Sequence, residues 1–331
     1  MIYLESLFTF LLSLLLIKGV ILLSKKYQLI DNPNERSVHR IPMPTSAGIG
    51  VILSVLIIVT LFHYELVISF WYLLLSIIIV FIVGIIDDIK NIAPRYKFLG
   101  ITLAILLLCY NGYYIDSLGN YFSHKVSLHW FFIFPITYFA VIGYTNALNL
   151  VDGVDGLAGS VSVVIFSTLL AIGIRFSDPL IITLSSMSIA SLLAFLLFNW
   201  YPAKIFMGDS GSLTLGFLIS VLSIKALEYI TPTSILFIAA VPILDTVIVF
   251  YRRVQRHGSP FKADRIHLHH LILFEKQNIT FTVVTLTLIQ IVLSMIGYSS
   301  IHNDDFFNLI QFIIILYIFL TLFDQRHKQR Q

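Results

Sequence analysis

Eleven apolar runs, most of them long enough to cross a bilayer, leave this chain of 331 residues few ways to fold. They fall at roughly 3–23, 46–62, 68–86, 98–114, 130–147, 157–174, 180–198, 212–227, 234–250, 281–299 and 307–323. About 20 apolar residues span the hydrocarbon core, with about 17 as the practical minimum. Within hydrocarbon every backbone N–H and C=O must find its partner inside the segment, which selects helices. The expectation is an all-α, polytopic membrane helix bundle with about 11 transmembrane helices, forming a single integral membrane domain over residues 1–331. Composition agrees: 58% of residues are hydrophobic and 12% charged, where a soluble domain carries about a quarter charged. The first run has no basic leader and no small-residue cleavage site, so it reads as a retained span. Cys109, the one cysteine, lies in an apolar run and reads as a small buried hydrophobe, with no disulfide framework to join. A net charge of +3 gives no reason to expect nucleic acid.

The positions of Lys and Arg orient the bundle. Alternate connections hold Lys25, Lys26, Arg36 and Arg40; Lys90, Arg95 and Lys97; Lys204; and Arg252, Arg253, Arg256, Lys262, Arg265 and Lys276, with Arg326, Lys328 and Arg330 in the tail. The opposite connections hold little beyond Lys125 and Arg175. The basic side is the cytoplasmic one, so the N-terminus is expected outside and the C-terminus inside, which needs an odd number of spans. Lys18 and Lys225 lie close enough to span ends to snorkel and receive no role. Every polar motif of interest (31–48, 87–97, 146–159, 204–214 and 252–276) falls on the basic side. The outer connections, Tyr114–His129 and His302–Asp305, read as plain turn-like linkers. One-sided polarity suits a membrane enzyme with a cytosolic substrate. A transporter would place polar groups near the midplane and would often carry an inverted repeat; the spans hold almost no charged groups there, and no convincing repeat is present.

Four of these motifs carry chemistry. Asn146-Ala-Leu-Asn149-Leu-Val-Asp152-Gly-Val-Asp155-Gly-Leu-Ala-Gly159 sets carboxamides, carboxylates and glycines between two apolar runs. As helix, residues three apart would share a face; as a partly unwound loop, its glycines would free backbone amides for phosphate oxygens. Hard oxygen ligands of this kind suit Mg²⁺ or Mn²⁺ rather than zinc. Asp87-Asp88-Ile-Lys90 ends the third run with two acids that oppose the helix dipole and each other, unless Lys90 or a divalent cation relieves them. Phe206-Met-Gly-Asp209-Ser-Gly-Ser212 opens the eighth run, where Asp and Ser favour the helix cap and a helix start favours anions; Asp209 is the favoured metal ligand. Asp264-Arg265-Ile-His267-Leu-His269-His270 offers an arginine fork and three imidazoles to a diphosphate or sugar, and it lacks the cysteines of a typical zinc site. A fifth segment, Asn32-Pro-Asn-Glu-Arg36-Ser37-Val-His39-Arg40, reads equally well as a basic linker beside anionic lipid headgroups or as part of a site.

Together these motifs resemble the polyprenyl-phosphate N-acetylhexosamine-1-phosphate transferases, glycosyltransferase family 4, over essentially the whole chain from Asn32 to His270. His-Leu-His-His after Asp-Arg is similar to the form in N-acetylglucosamine-1-phosphate transferases. The resemblance implies a site built from loops 24–45, 87–97, 146–159, 199–212 and 251–280, on the cytoplasmic side of a bacterial inner membrane. It implies transfer of N-acetylhexosamine-1-phosphate, foremost GlcNAc-1-phosphate, from a UDP-sugar to undecaprenyl phosphate with release of UMP, the initiating step of a cell-envelope polysaccharide such as O-antigen or teichoic acid. By motif match Asp209 and Asn149 would bind Mg²⁺ (or Mn²⁺), and Asp87 or Asp88 would take a proton from the lipid phosphate. Asp152 and Asp155 would bind uridine or organise the surroundings of the metal. Lys90, Asn146, Arg265, His267, His269, His270 and His39 would hold phosphates and sugar. Pro44-Thr45-Ser46-Ala47-Gly48 departs from the Pro-Arg-x-Gly-Gly of many relatives, so no basic substrate contact is expected at Thr45. The donors FucNAc, GalNAc and MurNAc-pentapeptide stay open, as do a homodimer and, from another class, a lipid-linked sugar transporter.

Overall fold

The computed structural model describes residues 2–33, 41–255 and 267–328, with side chains to 322. In chain order the helices are α1 (Ile2–Leu23), α2 (Gly48–Phe62), α3 (Tyr64–Ser69), α4 (Trp71–Lys90), α5 (Pro94–Tyr110), α6 (Trp130–Val151) and α7 (Leu157–Phe176). There follow α8 (Pro179–Asn199), α9 (Asp209–Ala226), α10 (Pro232–Ile238), α11 (Ala240–Gln255), α12 (Leu268–Lys276), α13 (Ile279–Ser299) and α14 (Asp305–Lys328). Each expected apolar run lands on one of these helices or, at 234–250, on the pair α10 and α11. By length and apolarity α1, α4, α6, α7, α8, α13 and α14 qualify singly as membrane spans, seven among the described residues. The α10–α11 pair, bent by 87°, makes an eighth if it is one span. The chain is thus a polytopic membrane helix bundle.

The bundle is organised around α9, whose side chains are buried from Ser210 to Ala226 with Lys225 the one partial exception. It packs against α4, α6 and α2. The approach of α2 needs glycine: a Cβ on Gly48 would stand 2.1 Å from the backbone nitrogen of Gly211. Exposed apolar residues cluster instead on outward faces, such as Leu4, Leu11 and Leu15 of α1 and Ile313, Ile314 and Tyr317 of α14, as lipid-facing surfaces require.

The α10–α11 bend frees backbone groups in an apolar surrounding, and α13 satisfies them. Gln290 is fully buried; its Nε2 donates to Ile238 O at 2.8 Å and its Oε1 accepts from Val241 N at 2.9 Å. Ser294 adds a donated bond to Ile238 O at 3.3 Å. Side-chain amides commonly re-satisfy a broken membrane helix in this way.

Two short antiparallel sheets stitch the ends of the bundle. β1 (Ile30–Asp31) pairs with β2 (Met43–Pro44), and the end of β2 and the chain just beyond it are bonded to the segment before α9 through Phe206 N to Pro44 O at 2.9 Å and Gly48 N to Met207 O at 2.9 Å. β3 (Ser117–Tyr121) and β4 (His124–Ser127) form a hairpin where the sequence suggested only a linker. Asp305, fully buried, explains its order: it accepts from Asn120 N at 2.7 Å, from Thr233 N at 3.0 Å and from the Thr233 hydroxyl. Lys225 also does more than snorkel, pairing with Glu228 at 2.6 Å and Asp178 at 3.5 Å.

Candidate active site

A cavity of about 540 Å³ opens where the ends of α4, α6 and α8 meet the start of α9, and acids dominate its walls: Asp31, Asp87, Asp88, Asp152, Asp155 and Asp209. The two adjacent acids at the end of α4 have different work. Asp88 accepts from Asp209 N at 2.7 Å and Ser210 N at 3.2 Å, so it caps α9 from outside, satisfying N–H groups that a helix start leaves unpaired. Asp87 accepts from Ile92 N at 3.0 Å with one oxygen and pairs with Lys97 at 2.6 Å with the other.

Because Asp88 supplies the cap, the carboxylate of Asp209 is free to face the cavity. It meets Lys97 Nζ at 2.6 Å and accepts from Asn149 Nδ2 at 3.0 Å; the same amide donates to Ser212 Oγ at 2.8 Å. Lys97 Nζ therefore lies between Asp87 and Asp209 and marks a position that already holds a positive charge. The donors around it are oxygens, the chemistry that suits a hard divalent cation retaining its own waters and substrate phosphates. Among the described residues no three His, Cys, Asp or Glu side chains form a ready-made metal site. A cation here would thus draw on few protein ligands, with Asp209 and Asn149 at hand.

The segment that could have been helix or loop is both. α6 continues through Asn146 and Asn149 to Val151, then Asp152 to Gly156 turn the chain into α7. Asp155 accepts from Ala203 N at 3.0 Å, while Asn199 accepts from Gly156 N at 2.8 Å and donates to Ile205 O at 2.9 Å. These bonds lock the turn to the segment leading into α9. Burial, reinforced by the negative charges of Asp209, Asp88 and Asp155, holds the Asp152 carboxyl well above the usual carboxylate range. Its proton is therefore held more tightly than that of an ordinary aspartate.

The histidines reach the cavity from α12. His270 lines it. His269 is buried behind it with ring centroids 4.3 Å apart, and His267 stacks on His269 at 5.5 Å and 12°. Gly153 makes this fit possible, since a Cβ there would come within 2.9 Å of His269 Nε2. That nitrogen is buried without a hydrogen-bond partner among the described residues. Burial pulls the His269 imidazole down to about 3. Its folded pKa lies below the unfolded value of 6.5, so the associated stability is present above pH 6.5 and is lost as pH falls from there towards 3. The expected penalty is about 1.4 kcal/mol per pH unit. Replacing His269 by Gln should therefore narrow the Tm gap to wild type steadily between pH 6.5 and 4, as thermal denaturation in detergent would read. A constant gap would mean that His269 titrates normally.

The structure brings Asp87, Asp88, Asn149, Asp152, Asp155, Asp209 and His270 to one cavity, with His267 and His269 behind. It does not bring in Lys90, which is exposed, nor Asn146, whose amide donates to Ile142 O at 2.7 Å within its own helix. Arg265, His39, Arg36 and Ser37 lie outside the described residues. Sequence reasoning used Lys97 only for topology and passed over Asn199, Asn91 and Asp31, all of which reach the cavity or its ion pairs. The signal for Lys97 was a lysine one turn into the helix that follows the acids.

Fold and site together define a polytopic membrane protein with a carboxylate-lined pocket at one end of its spans. The profile of glycosyl transferase family 4 matches residues 70–227. A Bacillus subtilis (strain 168) protein named as a probable undecaprenyl-phosphate N-acetylglucosaminyl 1-phosphate transferase is 31% identical over 325 residues, 97% of this chain and 89% of that protein. Proteins named undecaprenyl-phosphate alpha-N-acetylglucosaminyl 1-phosphate transferase are 30% identical in Escherichia coli (strain K12), over 89% of this chain and 84% of theirs, and in Yersinia pestis, over 88% and 82%. The chain belongs to glycosyl transferase family 4 and is a membrane glycosyltransferase.

Proposed function

We propose that the protein transfers GlcNAc-1-phosphate from UDP-GlcNAc to undecaprenyl phosphate and releases UMP, initiating a cell-envelope polysaccharide. The observation that carries this reading is that one helix, α6, lines two unlike cavities. The acidic one holds Asn149; the apolar one, about 410 Å³, runs past Ile136, Val141 and Tyr144 as far as Ala147. An anionic headgroup on a polyprenyl chain needs both surfaces. The names borne by relatives across most of the chain give the same donor and acceptor.

In this reaction an oxygen of the lipid phosphate attacks the β-phosphorus of the nucleotide sugar. The bond from that phosphorus to the bridging oxygen breaks, and UMP leaves with the electron pair. Asp87, with one oxygen on a backbone N–H and the other beside a lysine, or Asp88, with both oxygens on the start of α9, would accept the proton of the lipid phosphate. Lys97 and His270 would counter phosphate charge, and Asp152 and Asp155 would meet the nucleoside. Asp209 and Asn149 would hold Mg²⁺, which supplies charge neutralisation on the diphosphate. The topology proposed is eleven crossings of a bacterial inner membrane with the N-terminus outside, so that this pocket faces the cytosolic pool of sugar nucleotides.

Purified protein supplied with undecaprenyl phosphate should release UMP and form lipid-linked sugar with UDP-GlcNAc. The parallel arms are UDP-GalNAc, UDP-FucNAc and UDP-MurNAc-pentapeptide. Product with one of those alone would reassign the donor, and no product with any would defeat the transferase reading.

A further inference from the structure

We propose that Asp245, a buried acid in α11 outside the lining of the acidic cavity, is a positioning residue that sets how the α12 histidines meet that cavity. The proposal rests on the transferase reading. Asp245 lies in one of the apolar runs and is 1% exposed. An ionised carboxylate in such surroundings is costly unless it is paired and hydrogen-bonded, and a leucine would pack there without that cost. Both of its oxygens are engaged by one segment. Oδ2 faces His267 Nδ1 at 2.6 Å, and Oδ1 accepts from Leu268 N at 2.6 Å.

Leu268 is the first residue of α12, whose own cap, His267, makes no side-chain capping bond. The capping acceptor therefore comes from another helix, as Asp88 serves α9. An acid at a helix start complements its dipole and fixes its direction. A carboxylate against Nδ1 also makes that nitrogen the donor, which settles the ring's tautomer and plane. The rest follows by contact: His267 stacks on His269, His269 stands against Gly153 of the turn after α6, and His270 enters the cavity wall. The 87° bend at the start of α11, held by Gln290, is what carries Asp245 to α12. Asp245 reaches the substrate side through its two bonds to α12, at His267 and at Leu268.

The experiment compares wild type with D245N, D245E, H267A and D245N/H267A, reading kcat and KM for UDP-GlcNAc and for undecaprenyl phosphate. Loss of an outer partner that orients a metal-bound histidine costs roughly 10–100-fold, and the lower end of that range is expected at His267. D245N should raise the KM for UDP-GlcNAc by roughly tenfold while the KM for undecaprenyl phosphate stays within twofold, and D245E should recover part of the loss. The double variant should be no worse than H267A, since residues acting in one chain are not additive. An unchanged UDP-GlcNAc KM in D245N, or losses that multiply in the double variant, would overturn the proposal. Should D245N fail to give folded protein, D245E and H267A carry the same comparison. UMP binding by calorimetry, roughly tenfold weaker in D245N, tests positioning without turnover. A wild type that binds UMP yet makes no product would count against the transferase reading and leave the positioning test standing.

Discussion

Asp209→Ala should abolish UMP release, by roughly a thousandfold or more, while the protein still inserts and keeps its helical content. The separation of effects follows from which acid caps α9. Asp88 holds the N–H groups of Asp209 and Ser210, so removing the Asp209 carboxylate leaves the helix start intact. What is lost is the contact to Lys97 and the acceptor for Asn149. Asp88→Ala should behave differently, because it strips the cap, at about 0.5–2 kcal/mol, and displaces Asp209 as well. The pair of variants is read by UMP release at saturating Mg²⁺ beside thermal denaturation. Asp209→Ala retaining more than a tenth of wild-type turnover would move the cation site elsewhere.

The second large effect is on stability. Gln290→Leu should lower Tm by roughly 2–4 °C, although Gln290 does not line the acidic cavity. Leucine is apolar and of similar size, so packing is retained. Val241 N loses its acceptor, and Ile238 O keeps only the 3.3 Å bond from Ser294. A buried backbone group without a partner costs about 1–3 kcal/mol, and detergent or lipid offers no substitute. Gln290→Glu should lose less while the buried acid is neutral, its hydroxyl donating to Ile238 O and its other oxygen accepting from Val241 N, and more as rising pH ionises it. A Tm for Gln290→Leu within 1 °C of wild type would mean that the bend is held by packing alone.

The helices and the acidic cluster were legible because hydrocarbon enforces simple rules. Apolar length sets the spans, and charge is tolerated in or near them only where it has a partner or a task. Partner choice was less legible. Lys90 shares a helix with Asp87 and Asp88, so spacing favoured it. Asn91, in the left-handed conformation at φ 47°, instead ends α4 and turns the chain into α5, whose first turn carries Lys97 back over the acids. Asp209 looked like a cap by position, but the cap came from Asp88, more than a hundred residues earlier. Hydropathy records no direction; a cue to the 87° bend in the run 234–250 was Pro242, which lacks the N–H needed to continue the preceding helix. The hairpin at 117–127 read as a linker because its partner, Asp305, lies near the far end of the chain.

Lys97 has a consequence for the enzyme at rest. A pocket built of aspartates would push itself apart during assembly in the membrane, long before any nucleotide arrives. With Lys97 salt-bridged to both Asp87 and Asp209, the chain brings its own temporary occupant for the place where positive charge is needed. On the transferase reading, divalent ions can then come and go with the substrate as a working fluid, while the protein keeps its shape between turnovers.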